Sequence, residues 1–179
     1  MAMFDLMLDL ETMGSGPNAA IIAIGAVFFD VDSGQIGEKF YQVVDLEGSV
    51  KLGGEMDPAT VLWWLRQSDD ARAAFAIKGE QIVIVLANFH QFIQRNSLVD
   101  QVRVWGNGAS FDNVILASAY RNCADFPQPW KFWNDRCYRT VKAMRPDIKL
   151  ARVGTYHNAV DDAESQARHL IDILKQGLR

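Results

Sequence analysis

Between Phe4 and Glu11 apolar and polar positions alternate. Phe4, Leu6, Leu8 and Leu10 fall on one side and Met7, Asp9 and Glu11 on the other, which predicts a strand. Met13-Gly14-Ser15-Gly16-Pro17-Asn18 reads as a loop. Ile21–Phe29 is strongly apolar and predicts a second strand; Asp32-Ser33-Gly34 is a hairpin turn and Lys39–Val44 a third strand. The three together predict an antiparallel meander.

Helical periods follow. Asp57-Pro58 reads as an N-cap with proline in the first turn of a helix that runs through Trp63 and Trp64 to about Gln67. Ile82, Val85, Leu86, Phe89 and Ile93 share one face of a helix over Glu80–Arg95, although the β-branched run from Ile82 to Val85 leaves a strand open there. Val102–Trp105 predicts a short strand, and a helix starting near Asp112 turns Ile115, Leu116 and Ala119 inward. Phe126–Trp133 is a proline- and aromatic-rich connection. A further helix is expected to include Thr140–Met144, and a last one, from near Asp162, to bury Ala163, Ala167, Leu170, Ile171 and Leu174. Strands first, then strands alternating with helices, imply an α/β fold with a mixed sheet covered by helices. Strand order does not follow from the pattern.

Composition narrows the class. The 179 residues suit a single domain over 1–179, and 49% hydrophobic with 22% charged residues is a globular balance. No apolar run approaches about 18 residues, so no membrane span is expected, and the N-terminus does not read as a signal peptide. Cys123 and Cys137 lack a Cys-x-x-Cys spacing and read as packing residues in a reducing cytoplasm. Net charge is −4, but segment 131–152 carries seven basic against two acidic residues, leaving −9 on the rest. Such a stretch beside surplus carboxylates suits a site for metal ions and an anionic substrate; a solvated face is the plainer alternative.

Three groups of residues carry candidate chemistry. Asp9 and Glu11, two apart on one strand, share a face whose preceding member is Met7. Two anions there repel, so they share a proton, bind a divalent cation or lie in water. Asp112 lies in Asn107-Gly108-Ala109-Ser110-Phe111-Asp112, after a strand and at a helix start, where it could also be an ordinary N-cap. His157-Asn158-Ala159-Val160-Asp161-Asp162 places a loop histidine five residues before an aspartate at the last helix, again a candidate cap. Trp63 and Trp64 are about 100° apart on a helix, so one faces the core and the other is free to stack on a base. His90 and His169 fall inside helices and receive no role.

The ordered set resembles the DEDD superfamily of 3′–5′ exonucleases, in the histidine-type (DEDDh) branch, through Asp9-Leu10-Glu11-Thr12, Asn107-x-x-x-Phe111-Asp112 and His157-x-x-x-x-Asp162. Glu11-Thr12-Met13-Gly14-Ser15-Gly16, Trp63-Trp64, Phe132-Trp133-Asn134-x-Arg136 and His157–Asp162 are similar to the phage and prophage exonuclease VIII-type and exoribonuclease-like group. The resemblance covers residues 4–175.

It implies a ribonuclease H-like fold with a five-stranded mixed sheet and flanking helices. It also implies two Mg²⁺ or Mn²⁺ ions held by Asp9, Glu11, Asp112 and Asp162, with His157 as the general base. The expected reaction is hydrolysis of single-stranded DNA or RNA 3′ ends to nucleoside 5′-monophosphates, with DNA favoured over RNA. By the same resemblance Leu10, Thr12 and Met13 border the terminal nucleotide; Arg136 and Arg139 are candidates for phosphate contact, and Trp63 or Trp64 for stacking. A homodimer is compatible with the family, and the cytoplasm of a bacterium or phage-infected host is the expected location. Two other classes compete: an inactive nucleic-acid-binding module of the same fold, and a nucleotide-binding oxidoreductase suggested by Gly106-Asn107-Gly108. The latter lacks its third glycine, with Phe111 in its place.

Overall fold

The first strand, β1 (Asp5–Thr12), is buried on both sides, so its alternation separates two cores rather than core from solvent. Leu6, Leu8 and Leu10 enter one apolar cluster and Met7 enters another. The computed structural model describes residues 3–177 of the chain. β2 (Ile21–Phe29) and β3 (Ile36–Val43) pair antiparallel in the expected meander, β3 starting three residues earlier than its apolar pattern suggests.

Short helices α1 (Leu46–Lys51), α2 (Pro58–Trp64) and α3 (Ala73–Ala76) follow. Asp57 caps α2 by accepting the Ala59 N–H, as its Asp-Pro signature predicts. The sequence pattern predicts neither α1 nor α3: six and four residues are too short to show a period. The ambiguous Ile82 run resolves as helix α4 (Ile82–Asn96), with its five expected apolar residues buried.

Strand β4 (Arg103–Gly106) runs parallel to β1, and helix α5 (Asp112–Cys123) follows it. After a short 3₁₀ turn at Phe132–Asn134 comes β5 (Asp135–Cys137), then α6 (Tyr138–Met144) and α7 (Ala159–Lys175). The mixed sheet has the order β3-β2-β1-β4-β5. The sequence pattern does not predict β5, because three half-buried residues carry no alternation. The last helix starts three residues earlier than expected: Asn158 accepts the Val160 and Asp161 N–H groups and takes the cap that Asp162 was a candidate for.

Helices cover both faces. Val85, Leu86 and Phe89 of α4 and Ile115, Leu116 and Tyr120 of α5 pack on Leu6, Leu8, Ile24 and Phe28. On the other face Ala163, Ala167, Leu170 and Ile171 of α7 join Met7, Val27, Phe29 and Tyr138. Alanines on the sheet-facing side let α7 approach closely. At Gly25, which lies opposite Asp9, a Cβ would stand 2.1 Å from the Ala159 carbonyl carbon. Among the described residues, no helix is long and apolar enough to cross a membrane, and both cysteines are free.

Candidate active site

β1 and β4 stay paired only as far as Leu8 opposite Gly106. Beyond that point β4 turns away into 107–111, while β1 continues beside β2 alone. Such a divergence at the carboxyl ends of parallel strands opens a crevice and leaves backbone N–H groups in need of acceptors. Asp112 supplies them: Oδ1 accepts from Leu10 at 3.1 Å and Oδ2 from Asn107 at 2.9 Å. Phe111 occupies the cap position of α5 and Asp112 is its first helical residue, so its carboxylate joins two strand ends instead of serving as the N-cap.

The start of α7 closes the other side. Asp162 Oδ2 accepts the His157 N–H at 3.0 Å, and Oδ1 pairs with Arg152 at 2.5 Å. Asp161 accepts the Thr155 N–H at 2.7 Å, drawing the same loop onto the helix. His157 has φ +64°, the left-handed region that non-glycine residues seldom occupy, so the loop is held by its bonds rather than by local preference. Its ring lies 3.7 Å from that of Tyr156 and meets Trp63 edge-on at 5.0 Å. The Arg152 guanidinium covers the outer face of Tyr156 at 3.8 Å.

These elements bring Asp9, Glu11, Asp112, His157 and Asp162 into the lining of one cleft of about 220 Å³, with Leu10, Arg139 and Gln166. One donor atom each from Glu11, His157 and Asp162 lies within 4.8 Å of the other two. Gln166 donates to Asp9 Oδ1 at 2.8 Å, and its own buried carbonyl oxygen has no partner among the described residues.

Crowding of acids shows in their proton affinity. Burial holds the Asp9 carboxyl well above its ordinary value; Asp112, Glu11 and Asp162 push it further, and the Gln166 bond opposes them. Burial, then Asp162 and Asp112, raises Glu11 to about 9. Asp112 rises to about 7 through burial, against its backbone N–H donors and Arg139. Asp162 is raised by burial, with Arg152 opposing. Burial draws His157 below its ordinary value; Asp162 opposes this and Arg152 reinforces it, leaving the imidazole neutral at pH 7.

The remaining candidates separate. Arg139 lines the cleft, whereas Arg136 turns its guanidinium to the Trp133 and Asp135 carbonyls and lines no part of it. Leu10 reaches both cleft and core. The Thr12 hydroxyl donates to the Gly14 carbonyl, and Met13 packs with Ala20, Ile22 and Trp64, so neither side chain lines the cleft. Trp64 is the core tryptophan, donating to the Thr12 carbonyl at 2.9 Å, while Trp63 is 41% exposed beside His157. The sequence does not single out Gln166, Tyr156 or Tyr138 for the site, and it offers Arg152 only as one member of the basic segment 131–152. Only Gln166 carries a usable signal, standing one helical turn beyond Asp162.

Residues 4–174 match the family described as the 3′–5′ exoribonuclease Rv2179c-like domain. The exodeoxyribonuclease of Enterobacteria phage T4 is 29% identical over 160 residues, 77% of this chain and 70% of the phage protein. Among solved structures, the nuclease domain of 3′hExo, a DEDDh family member bound to rAMP, aligns with a TM-score of 0.66. That alignment has 15% identity and covers 99% of this chain and 96% of the other. Escherichia coli exonuclease I in complex with a dT13 oligonucleotide aligns at 0.59 and 21% identity, over 97% of this chain and 41% of that enzyme. The fold is thus ribonuclease H-like, a five-stranded mixed sheet between helices. With the family match spanning both halves of the cleft, the chain belongs to the 3′–5′ exoribonuclease Rv2179c-like family and is a 3′–5′ exonuclease acting on nucleic-acid ends.

Proposed function

We propose that the chain is a single exonuclease domain of the exonuclease VIII-type group, a metal-dependent enzyme that trims single-stranded 3′ ends to nucleoside 5′-monophosphates. The observation that carries this reading is the meeting of four carboxylates and a neutral imidazole, from β1, α5, the loop before α7 and the first turn of α7, in one cleft. The donor set fits a hard divalent cation: oxygen ligands predominate, and the raised proton affinity of Glu11 and Asp112 marks positions that await positive charge. Asp9, Glu11, Asp112 and Asp162 would hold two Mg²⁺ or Mn²⁺ ions. Such a pair, when bound, stabilises the attacking and leaving oxygens of an in-line phosphodiester displacement.

The chain's own residues supply the rest. His157, neutral at pH 7 and braced by Tyr156 and Trp63, accepts the proton of the attacking water. Gln166 fixes the Asp9 carboxylate through one oxygen and leaves the other free. Trp63, exposed beside the imidazole, offers a stacking face to the terminal base. Leu10 and the backbone of Thr12 and Met13 border the terminal nucleotide, and Arg139 faces a phosphate. The T4 relative's exodeoxyribonuclease description favours DNA over RNA as substrate. The complete acid set and the histidine speak against an inactive binding module.

The test uses matched 3′- and 5′-labelled DNA and RNA oligonucleotides with Mg²⁺ or Mn²⁺, and with EDTA. The expected result is laddering of the 5′-labelled strands, mononucleotide release from 3′-labelled ones, faster turnover of DNA, and no reaction in EDTA. Binding without cleavage in either metal would overturn the reading.

A further inference from the structure

Beside the cleft runs a second, open groove of about 720 Å³ between α6 and the turn at 145–150. The two are continuous, with Asn107, Arg139, Lys142 and Leu150 lining both. Among the described residues, no acidic side chain lines the groove. Its exposed cations are Arg139 and Lys142, three apart on α6 and so on adjacent positions of one face, and Lys149 across from them.

The structure separates these three from the other basic residues of segment 131–152. Lys131 pairs with Asp100, Arg145 with Asp147 and Arg152 with Asp162, while Arg136 spends its donors on carbonyls. Arg139, Lys142 and Lys149 pair with no carboxylate among the described residues. Lys142 instead lies 5.9 Å from the Tyr138 ring, and Lys149 donates to the Pro146 carbonyl. In a chain of net charge −4, a groove whose two lysines stand outside any ion pair among the described residues, joined at Arg139 to an acid-lined cleft, calls for a polyanion that reaches both.

We propose that this groove is the track for the sugar-phosphate backbone of the single strand upstream of its 3′ end, with Arg139, Lys142 and Lys149 as phosphate contacts. The proposal rests on the exonuclease reading and adds to it the direction in which the strand leaves the site. The contacts are to phosphates and carry no base preference. They make long substrates better than short ones, and they make that advantage dependent on salt.

The experiment compares kcat/KM for a dinucleotide and a 12-mer of the sugar the enzyme accepts, from low to moderate salt. It uses the wild type, the Lys142→Gln/Lys149→Gln variant, and a charge-matched control, Lys78→Gln/Arg121→Gln. The track variant is expected to lose about tenfold of the preference for the 12-mer, and its log–log salt slope should flatten by about 0.7 per lysine removed. The control should keep the wild-type ratio and slope. Equal flattening in the control, or an unchanged ratio in the track variant, overturns the track and leaves the nuclease reading standing. A wild type that cleaves neither substrate overturns both.

Discussion

Asp5 and Asp9 lie four residues apart on the same strand, and they are treated in opposite ways. Asp5 is 5% exposed and fully matched: Arg103 donates to it at 2.7 Å and Trp105 at 2.8 Å. Asp9 meets Glu11, Asp112 and Asp162 instead, with one amide donor from Gln166. The first carboxylate stitches β4 to β1 where the strands are paired. The second stands where they have parted. Carboxylates confined near one another without balancing cations reduce stability, and a fold keeps them where a ligand's charge completes them.

The largest effects should come from removing the clustered acids of the cleft. Asp9→Ala or Asp162→Ala should abolish cleavage, a loss of at least about a thousandfold; the unfolding midpoint of Asp9→Ala should stay at or above wild type because like-charge repulsion is relieved, whereas Asp162→Ala stays folded with a lower one because it loses the Arg152 pair and the His157 N–H bond. Near-normal metal-dependent turnover in either variant would erase the contrast with Asp5. His157→Ala should follow, lowering kcat by roughly 10²–10⁴ with folding intact, as read by single-turnover kinetics.

Asp5→Asn tests the opposite limb. It should cost about 1–3 kcal/mol, a fall of roughly 2–4 °C in Tm for each kcal/mol, yet leave activity per folded molecule unchanged. Lost turnover in a fully folded Asp5→Asn protein would mean that the two ends of β1 are not separate in role.

The smallest effect is a pH slope. Carboxyls that hold protons more tightly in the folded chain than in the unfolded one take up protons on folding. Stability therefore falls as pH rises between the ordinary value and the folded one. For Glu11 that window runs from 4.5 to about 9. In EDTA, Tm should decline by a few degrees from pH 5.5 to 8.5, and Mn²⁺ should restore it. A flat or rising profile in EDTA would mean that the acids carry no shared strain.

The sequence revealed what repeats locally. Alternation placed Asp9 and Glu11 on one face of β1, the Asp-Pro pair marked the start of α2, and apolar periods marked α4 and α7. What it withheld depends on long-range bonding. Asp112 reaches Leu10 across 102 positions, so its part in joining two strand ends has no local trace. Asn158 competes with Asp162 for the helix cap on equal chemical terms, and only the fold decides between them. Trp63 and Trp64 are the same residue type side by side; the Thr12 carbonyl, 52 positions away, selects which one is buried. Arg136 and Arg139 look equivalent in the chain, yet the turn from β5 into α6 sends only one to the cleft.

Gly25 carries no charge and lines no part of the cleft, yet it gauges the spacing between the two halves of the acid set. Because α7 rests against its bare backbone opposite Asp9, a single methyl group there would wedge the helix outward and carry His157 and Asp162 away from β1. The shape of the cleft therefore depends on a side chain that is missing.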